Sequence, residues 1–364
     1  MARRLGAIAV VLVVLGVGIA LAAGGGGPAS RDPGHSSRAA KHRADAASDS
    51  IVNLVRGSDP SVLPGPVLIA DNANNRLIEV SPTGHLLWEF PRPGDLAPGQ
   101  TFQTPDDAFF AADGRHIMVT QEDDFVISLI DMASNRIVYR YGHPGIPGSA
   151  PGFVDNPDDA LPMPGGEVRL ADIKNCRLLV LRPPSHQIVL QLGETGVCLH
   201  QPGVSFGSPN GWFPMQDGNT IVTEINGDWA DVMTPDGRIL SSTNPPGFTY
   251  PSDTNEVKPG VLISADYTDP GAIETFTPSG RLLWRFAPTG AQALNSPSLA
   301  MPLPNGDVLA NDDHNDRVIV IDPRTNRIVW QYGHTHVAGR QPGYLSDPDG
   351  VDLARPYSLL DRFK

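Results

Sequence analysis

The sequence of 364 residues predicts an all-β protein, a six-bladed β-propeller of four-stranded antiparallel blades closed by the C-terminal strand. Three observations predict it. A pattern of short strands and tight turns recurs six times, the chain is rich in helix breakers, and its last strand has no following strands to pair with. The 38 glycines and 36 prolines leave almost no uninterrupted helical window.

The repeat is clearest at residues 308–333, VLANDDHNDRVIVIDPRTNRIVWQYG, which read as three strands joined by two turns. A further strand precedes them, so each unit has four strands. Matching segments start 41 to 52 residues apart, at Val67, Ile117, Val168, Thr220 and Val261. Four-stranded units of about 40–50 residues are typical of propeller blades, which must stack around an axis to bury both faces.

The N-terminal segment has its own pattern. Arg3 and Arg4 precede residues 5–23, a run of 19 residues without charge, long enough to span a bilayer as a helix. An A-x-A cleavage site at residues 20–22 leaves a signal peptide as the alternative to a membrane anchor. We therefore expect a signal peptide or transmembrane helix in residues 1–23, a flexible linker in 24–50 and the propeller in 51–364. The two arginines would leave the propeller outside the cytoplasm, single-pass or secreted.

The two ends of the propeller are expected to share one blade. Residues 51–66 are a lead-in, and the unit starting at Val67 has no convincing inner strand before it. Residues 349–355 read as an inner strand with nothing after it. We predict that this C-terminal strand completes the first blade and so removes a free edge. In the rival arrangement, residues 61–64 would supply that inner strand.

The net charge of the chain limits the kinds of partner that it is expected to bind. The chain carries a formal charge of −13, and residues 51–364 carry about −16. Such an acidic propeller is a poor candidate for nucleic acid, whose phosphates require a basic surface. A cation, a small-molecule ligand or a basic protein partner fits better, although a merely solvated acidic surface is the alternative. We expect a monomer.

Acidic and amide side chains recur where the chain enters each inner strand. The predicted ligand-binding residues are Asp107, Asp159, Asn210, Asp253 and Asp349. Oxygen ligands converging from several blades could hold Ca²⁺, which accepts 6–8 of them. The alternative is structural, because a feature repeated in every blade usually satisfies turns and contacts between blades. That alternative is favoured for the Asp-x-x-Asn-x-Arg loops that begin at Asp71, Asp172 and Asp312.

Histidines on the same face do not follow the repeat. His334 and His336 lie in one loop and His314 lies in the same blade, so the three imidazoles could bind Zn²⁺. Solvated loop histidines are the alternative.

The two cysteines lie in one repeat, in loops that should emerge on the same face. In an exported chain, Cys176 and Cys198 are expected to form a disulfide, with free thiols as the alternative.

Several motifs resemble known repeats. Residues 141–160 (YGHPGIPGSAPGFVDNPDDA), 332–351 and 71–80 (DNANNRLIEV) resemble NHL repeats. The turn-plus-tryptophan segments SPTGHLLW (81–88) and DPRTNRIVW (322–330) resemble pyrroloquinoline-quinone-binding-like propeller repeats. The resemblance implies a propeller from about residue 67 to 353. It also implies a range of functions, from protein or RNA binding to a metal-dependent peptide-amidating lyase and arylsulfotransferases. Arylsulfotransferases carry a His-Asp pair where their inner strands begin. In this sequence the matching His positions are occupied by Asp106 and Asp158.

Two functions stay open on the sequence. The first is an extracytoplasmic, membrane-tethered propeller that binds a ligand or protein partner at the acidic loop face of its channel. The second is a channel enzyme of lyase, lactonase or group-transferase type that depends on Ca²⁺ or Zn²⁺. The fold cannot choose between them, because function depends on the site.

Overall fold

The computed structural model describes residues 50–363, and these form a six-bladed β-propeller as predicted. The predicted N-terminal helix and most of the predicted linker lie outside the described residues. Within the described part of the chain, no helix is long and apolar enough to cross a membrane.

Every blade is a four-stranded antiparallel sheet whose first strand lies nearest the axis. The strands of the first three blades are β1 (Val67–Asp71), β2 (Arg76–Val80) and β3 (Leu86–Phe90); β4 (Pro105–Phe110), β5 (His116–Gln121), β6 (Val126–Asp131) and β7 (Arg136–Gly142); β8 (Pro157–Pro162), β9 (Val168–Asp172), β10 (Arg177–Arg182) and β11 (Gln187–Leu192).

The remaining blades follow the same order. Their strands are β12 (Pro209–Pro214), β13 (Thr220–Glu224), β14 (Trp229–Met233) and β15 (Ile239–Thr243); β16 (Asn255–Lys258), β17 (Val261–Asp266), β18 (Ala272–Phe276) and β19 (Leu282–Phe286); β20 (Ala300–Pro302), β21 (Val308–Asp312), β22 (Arg317–Asp322) and β23 (Arg327–Gly333); and the closing strand β24 (Pro348–Leu353). Short 3₁₀ helices lie at Pro60–Val62, Asn72–Asn74, Glu122–Asp124, Gly290–Gln292, Asp313–Asn315 and Leu359–Arg362.

The propeller closes through the C-terminal strand. β24 pairs antiparallel with β1, with Val67 opposite Leu353 and Ile69 opposite Val351. The predicted closure is therefore confirmed. The rival inner strand is wrong, because Pro60–Val62 form a 3₁₀ helix instead. The lead-in covers the outer edge of the last blade, where the backbone N–H of Asp59 donates to Val329 O at 2.8 Å.

Tryptophans on three of the outer strands tie their blades to the next blade. The indole N–H of Trp88 donates to Asn135 Oδ1 at 2.7 Å, and that of Trp284 donates to Asn326 Oδ1 at 2.7 Å. Trp330 bridges the last blade to the first by donating to Pro82 O at 2.8 Å. A buried indole needs such an acceptor, so the repeated tryptophan serves packing between blades.

The Asp-x-x-Asn-x-Arg loops are structural. In the last blade, Asp312 accepts from Arg317 Nε at 2.6 Å and from Asn315 Nδ2 at 2.8 Å, while the backbone N–H of Asn295 donates to its other oxygen at 2.7 Å. The loops that begin at Asp71 and Asp172 repeat the arrangement. Each loop thus joins the second and third strands to the segment that enters the inner strand.

The third blade carries the cysteine pair. Cys176, which has a left-handed backbone, and Cys198 form a disulfide with their Cα atoms 5.1 Å apart. The bridge links the loop between β9 and β10 to the loop after β11.

Removing one of the buried arginines should weaken the fold. Arg317→Ala leaves the fully buried Asp312 without its cation, and loss of one partner of a buried pair typically costs about 3–5 kcal/mol. We expect a clearly lower urea-denaturation midpoint for Arg317→Ala. Arg327→Ala, in the same blade but exposed, serves as the control and should leave the midpoint within error. Equal midpoints for the two variants would contradict a stabilising role for the pair.

Candidate metal centre

Most inner strands begin with the same unusual backbone. The residue before the opening proline is left-handed, with φ between +42° and +57°, at Thr104, Asn156, Ser208, Ser296 and Asp347. Such values are uncommon for residues other than glycine. These left-handed residues turn the chain sharply from the loop into the channel wall. The residues that follow therefore lie near the axis in a fixed orientation.

A β-bulge follows the proline. In β4, Pro105 pairs with Gln121 but Ala108 pairs with Val119, so Asp106 and Asp107 together oppose a single residue. The same shift occurs after Pro157 and after Pro348. Successive side chains of a regular strand point to opposite faces, and a bulge re-aims them. Both residues of each pair can therefore present side chains to the channel.

The first residue of each pair lines a cavity at the open end of the channel. We define the channel mouth as Asp106, Asp158, Asn210, Ser252, Ser298 and Asp349, which enclose about 100 Å³ together with Glu122, Tyr250 and Tyr267. Asn210 Nδ2 donates to Asp158, and Ser298 Oγ donates to Asp349 Oδ1 at 3.0 Å. Neighbouring blades thus share hydrogen bonds around the mouth.

The second residues form a deeper cluster, which we call the acid triad: Asp107, Asp159 and Asp253. One oxygen from each lies within 4.8 Å of those of the other two, and no member is more than 3% exposed. Within residues 50–363, both oxygens of Asp159 and one oxygen of each other member have no hydrogen-bond partner. Burial and the charges of Asp107 and Asp158 raise the pKa of Asp159, while the backbone N–H of Trp212 and the carboxyl group of Asp253 lower it to a smaller extent.

Two glycines make room for the acid triad. Gly211 and Gly350 occupy the second position of their own bulges, where other blades carry aspartate. A Cβ at Gly211 would lie 2.6 Å from Asp253 Oδ1 and 3.0 Å from Asp159 Oδ2, and a Cβ at Gly350 would lie 2.7 Å from Asp107 Oδ1. The three carboxylates therefore fill the space that side chains from these blades would have taken.

An apolar floor lies beyond the acid triad. Phe109, Leu161 and Phe213 follow the bulges by two or three residues, are fully buried and belong to one hydrophobic cluster with residues of the other inner strands. The rings of Phe109 and Phe213 meet edge to face with centroids 6.1 Å apart. The acid triad is thus held between this floor and the channel mouth, in a setting of low polarity where unpaired charge is costly.

Burial and mutual repulsion act on the carboxyl groups together. Burial raises the pKa of Asp107, Asp159 and Asp253 well above the ordinary value, and each of the three raises the pKa of another member further. At the channel mouth, burial raises the pKa of Asp158 to about 7, although a hydrogen bond to Asp106 acts against it. Burial and then the charges of Asp158 and Asp349 raise the pKa of Glu122 to about 8. Only bound protons or a bound cation can relieve such a concentration of charge.

The predicted ligand-binding residues fall into two layers. Asp107, Asp159 and Asp253 converge in the acid triad, whereas Asn210 and Asp349 line the channel mouth. The structure therefore places all five in the channel, but it does not bring them together into one ring.

Glu122 is a channel residue that was not predicted from the sequence. It directly follows Gln121, the counterpart of the aspartate that ends the second strand in other blades, and its Oε1 accepts from Asn156 Nδ2 at 3.1 Å. Residues at the same step after other second strands, Ile173 and Tyr267, also line the mouth. The position directly after each second strand was the available signal.

The histidines proposed as zinc ligands do not come together. His314 Nδ1 contacts Ser296 Oγ at 3.0 Å, while the His334 ring packs on Tyr344 with centroids 4.4 Å apart. Among the described residues, His314, His334 and His336 are not in any group with ligand atoms mutually within 4.8 Å. Zinc at this loop remains a prediction without a preformed site.

No protein-family model and no curated protein matches the sequence. Solved structures do match. One is a protein of unknown function from Bacteroides caccae (17% identity, TM-score 0.56, covering 80% of this chain and 100% of that one). Another is a streptogramin B lyase (15%, TM-score 0.53, 82% and 88%), and a third is in a nidogen–laminin complex (16%, TM-score 0.53, 79% and 98%). At these identities, the similarity shows the propeller fold alone.

The metal-free protein should lose stability as pH rises. Folding raises the pKa of these carboxyl groups, so the folded state holds their protons more tightly, and the stability this confers is lost as pH increases through the raised values. For Asp158 and Glu122 the window runs from the ordinary 3.8 and 4.5 to about 7 and about 8. Calorimetry in chelator should therefore show a melting temperature that falls between about pH 5 and about pH 8.

Asp131 should not contribute to this fall in melting temperature. Its hydrogen bond to Arg115 holds its pKa at about 2, which lies below the pH range of the experiment. A melting temperature that stays level or rises with pH would contradict the assigned burial of the channel acids.

Proposed function

We propose that this protein is a binding propeller whose acid triad holds a divalent cation of the calcium class and whose channel mouth receives a positively charged ligand group. The observation that carries the proposal is a set of oxygens on Asp107, Asp159 and Asp253 that have no hydrogen-bond partner within residues 50–363 and are buried around one point. Unpaired buried polar atoms are rare because each costs free energy. A cation would satisfy all three carboxylates at once.

The donor set selects the class of cation. The acid triad offers oxygen atoms only, with no histidine or cysteine among the grouped ligands. Hard cations such as Ca²⁺ and Mg²⁺ prefer carboxylate and carbonyl oxygens, and Ca²⁺ accepts irregular geometry with 6–8 ligands. Three carboxylates from three different blades supply such a set and leave positions for water or ligand atoms.

The channel mouth supports a ligand with a positive charge. Asp106, Asp158 and Asp349 surround it. Tyr250 and Tyr267 also line it, and the centroids of their rings lie 5.5 Å apart. Carboxylates beside tyrosine faces favour an ammonium or guanidinium group. A cavity of about 100 Å³ admits one such group rather than a whole metabolite. The ligand is therefore the basic side chain of a partner protein or the amine end of a small molecule.

The proposed location is outside the cytoplasm. The uncharged residues 5–23 behind Arg3 and Arg4 support tethering to a membrane or secretion. The disulfide between Cys176 and Cys198 fits an oxidising compartment.

A metal-dependent lyase is the second candidate. The acid triad lies in a channel closed by an apolar floor, so a cation there would face one small open cavity, as a Lewis acid in a catalytic site does. The streptogramin B lyase shares the propeller fold with a TM-score of 0.53. On this alternative, Glu122 or Asp158 at the mouth would transfer the proton.

Removing one carboxylate of the acid triad should have opposite effects with and without metal. Asp159→Asn keeps the shape of the side chain but removes one of three like charges, so the chelated variant should melt higher than the chelated wild type at about pH 8. Added Ca²⁺ should raise the melting temperature of the wild type and leave that of the variant unmoved. Calorimetry with and without Ca²⁺, together with elemental analysis of the full-length protein, makes both comparisons.

Asp155→Asn, a nearby residue outside the triad, is the matched control and should behave as the wild type does. A wild type that contains no metal and does not respond to Ca²⁺ or Mg²⁺ would overturn the cation. Metal binding together with turnover in a lyase screen would favour the second candidate.

Filling the space between the carboxylates should also abolish metal binding. In Gly211→Ala, the new methyl group would lie 2.6 Å from Asp253 Oδ1 and so displace it from the acid triad. Gly165→Ala is the control, because nothing lies within 4 Å of its Cβ and neither glycine has a left-handed backbone. Calcium titration by calorimetry should show binding for Gly165→Ala and none for Gly211→Ala. Unchanged binding in both would place any cation elsewhere.

A further inference from the structure

The fourth blade lacks the Asp-x-x-Asn-x-Arg loop that the first, third and sixth blades share. Glu224 ends β13 at the position held by Asp71, Asp172 and Asp312 in other blades, where it accepts the backbone N–H of Gly207. Five residues later, where those blades have the arginine that neutralises the aspartate, this blade has Trp229. The buried acid therefore keeps its structural bond to the backbone but lacks its cation.

A second acid occupies a core position in the same blade. Asp231 lies opposite Val222, as Ile78 lies opposite Ile69 in the first blade. Leu179 and Ile319 hold this position in the third and sixth blades. Asp231 is 0% exposed, its charged form is favoured by the Ser242 hydroxyl on the neighbouring strand and by His200, and among the described residues it has no arginine or lysine partner. A carboxylate in an apolar core position is costly unless something binds it.

His200 brings a nitrogen donor to these two acids. Its Nδ1 lies 3.0 Å from Glu224 Oε1 and 3.7 Å from Asp231 Oδ2. Ligand atoms of the three residues lie within 4.8 Å of one another. The imidazole stacks on Trp229 with centroids 4.2 Å apart and planes 10° apart, which fixes the direction of Nδ1. The tryptophan that replaced the arginine thus orients the histidine.

Charge and donor geometry favour a metal over a simple ion pair. One Nδ1–H can donate to Glu224, which leaves Asp231 with the Ser242 hydroxyl as a donor but without a cation of its own. An imidazolium would also neutralise only one of the two carboxylates, whereas a divalent cation beside neutral imidazole neutralises both. The His200 side chain is 14% exposed, so its edge offers an entry path from solvent.

We propose that His200 Nδ1, Glu224 and Asp231 form a binding site for a divalent metal of the zinc class. One nitrogen and two carboxylate ligands suit Zn²⁺ and related ions, and three protein ligands leave a fourth position for water or a ligand. Glu224 and Asp231 lie on the second and third strands of the fourth blade, and His200 lies in the loop between β11 and β12. The site shares no residue with the acid triad, whose oxygen-only donors favour Ca²⁺. This metal site can therefore be tested independently of the proposed calcium site.

Cobalt is the probe for this site, because Co²⁺ substitutes for Zn²⁺ and its visible absorption reports nitrogen and oxygen ligands in a four- or five-coordinate site. The full-length protein, stripped with chelator, is titrated with Co²⁺ alone and then challenged with Zn²⁺. We expect one Co²⁺ per chain with intense visible bands that Zn²⁺ abolishes. Asp231→Asn and His200→Gln should each weaken binding by about tenfold or more and lose the bands. Asp159→Asn should keep them.

Asp231→Leu separates a metal site from a structural ion pair. Leucine is the residue at this position in the third blade, so in the absence of metal this variant should melt at or above the wild-type temperature while binding no Co²⁺. A lower melting temperature, with wild-type Co²⁺ bands retained in His200→Gln and Asp231→Asn, would overturn the proposal. Failure of the folded wild type to bind Co²⁺ or Zn²⁺ would overturn it equally.

Discussion

The convergence of six inner strands on one axis is the constraint on which the rest of the structure depends. Most of these strands enter through a left-handed residue and a proline, and in three of them a bulge follows, so two successive side chains meet those of the other blades. Space near the axis is limited, and Gly211 and Gly350 show how little remains once three aspartates converge there. The acid triad is therefore a consequence of closing the ring with aspartate at these positions.

The blades treat buried carboxylates in two different ways. Where a carboxylate serves the fold, as Asp312 does, an arginine, an asparagine and a backbone N–H all satisfy it. The acid triad has no arginine, and several of its oxygens have no partner in the described residues. Because the same repeat supplies both kinds of acid, the missing partners are the observation on which we base the proposed ligand site.

The repeat made the architecture predictable, and its details made the site only partly so. Blade number, strand order and closure by the last strand follow from recurring turns and from the unpaired strand at residues 349–355. The sequence grouped Asn210 and Asp349 with the acid triad because a bulge, which sets depth along the channel, leaves no mark in a strand pattern. Asp231 was not among the residues that the sequence indicated, because only the strand register places it opposite Val222 in the core.

Crystallography with anomalous scattering tests the central claim most directly. Crystals of the full-length protein grown with Mn²⁺, which occupies oxygen sites of this kind, should show an anomalous peak bonded to Asp107, Asp159 and Asp253, at about 2.1–2.6 Å from their oxygens. A channel without such a peak, in which pairs of these carboxyl groups share protons across short oxygen–oxygen contacts, would contradict the account.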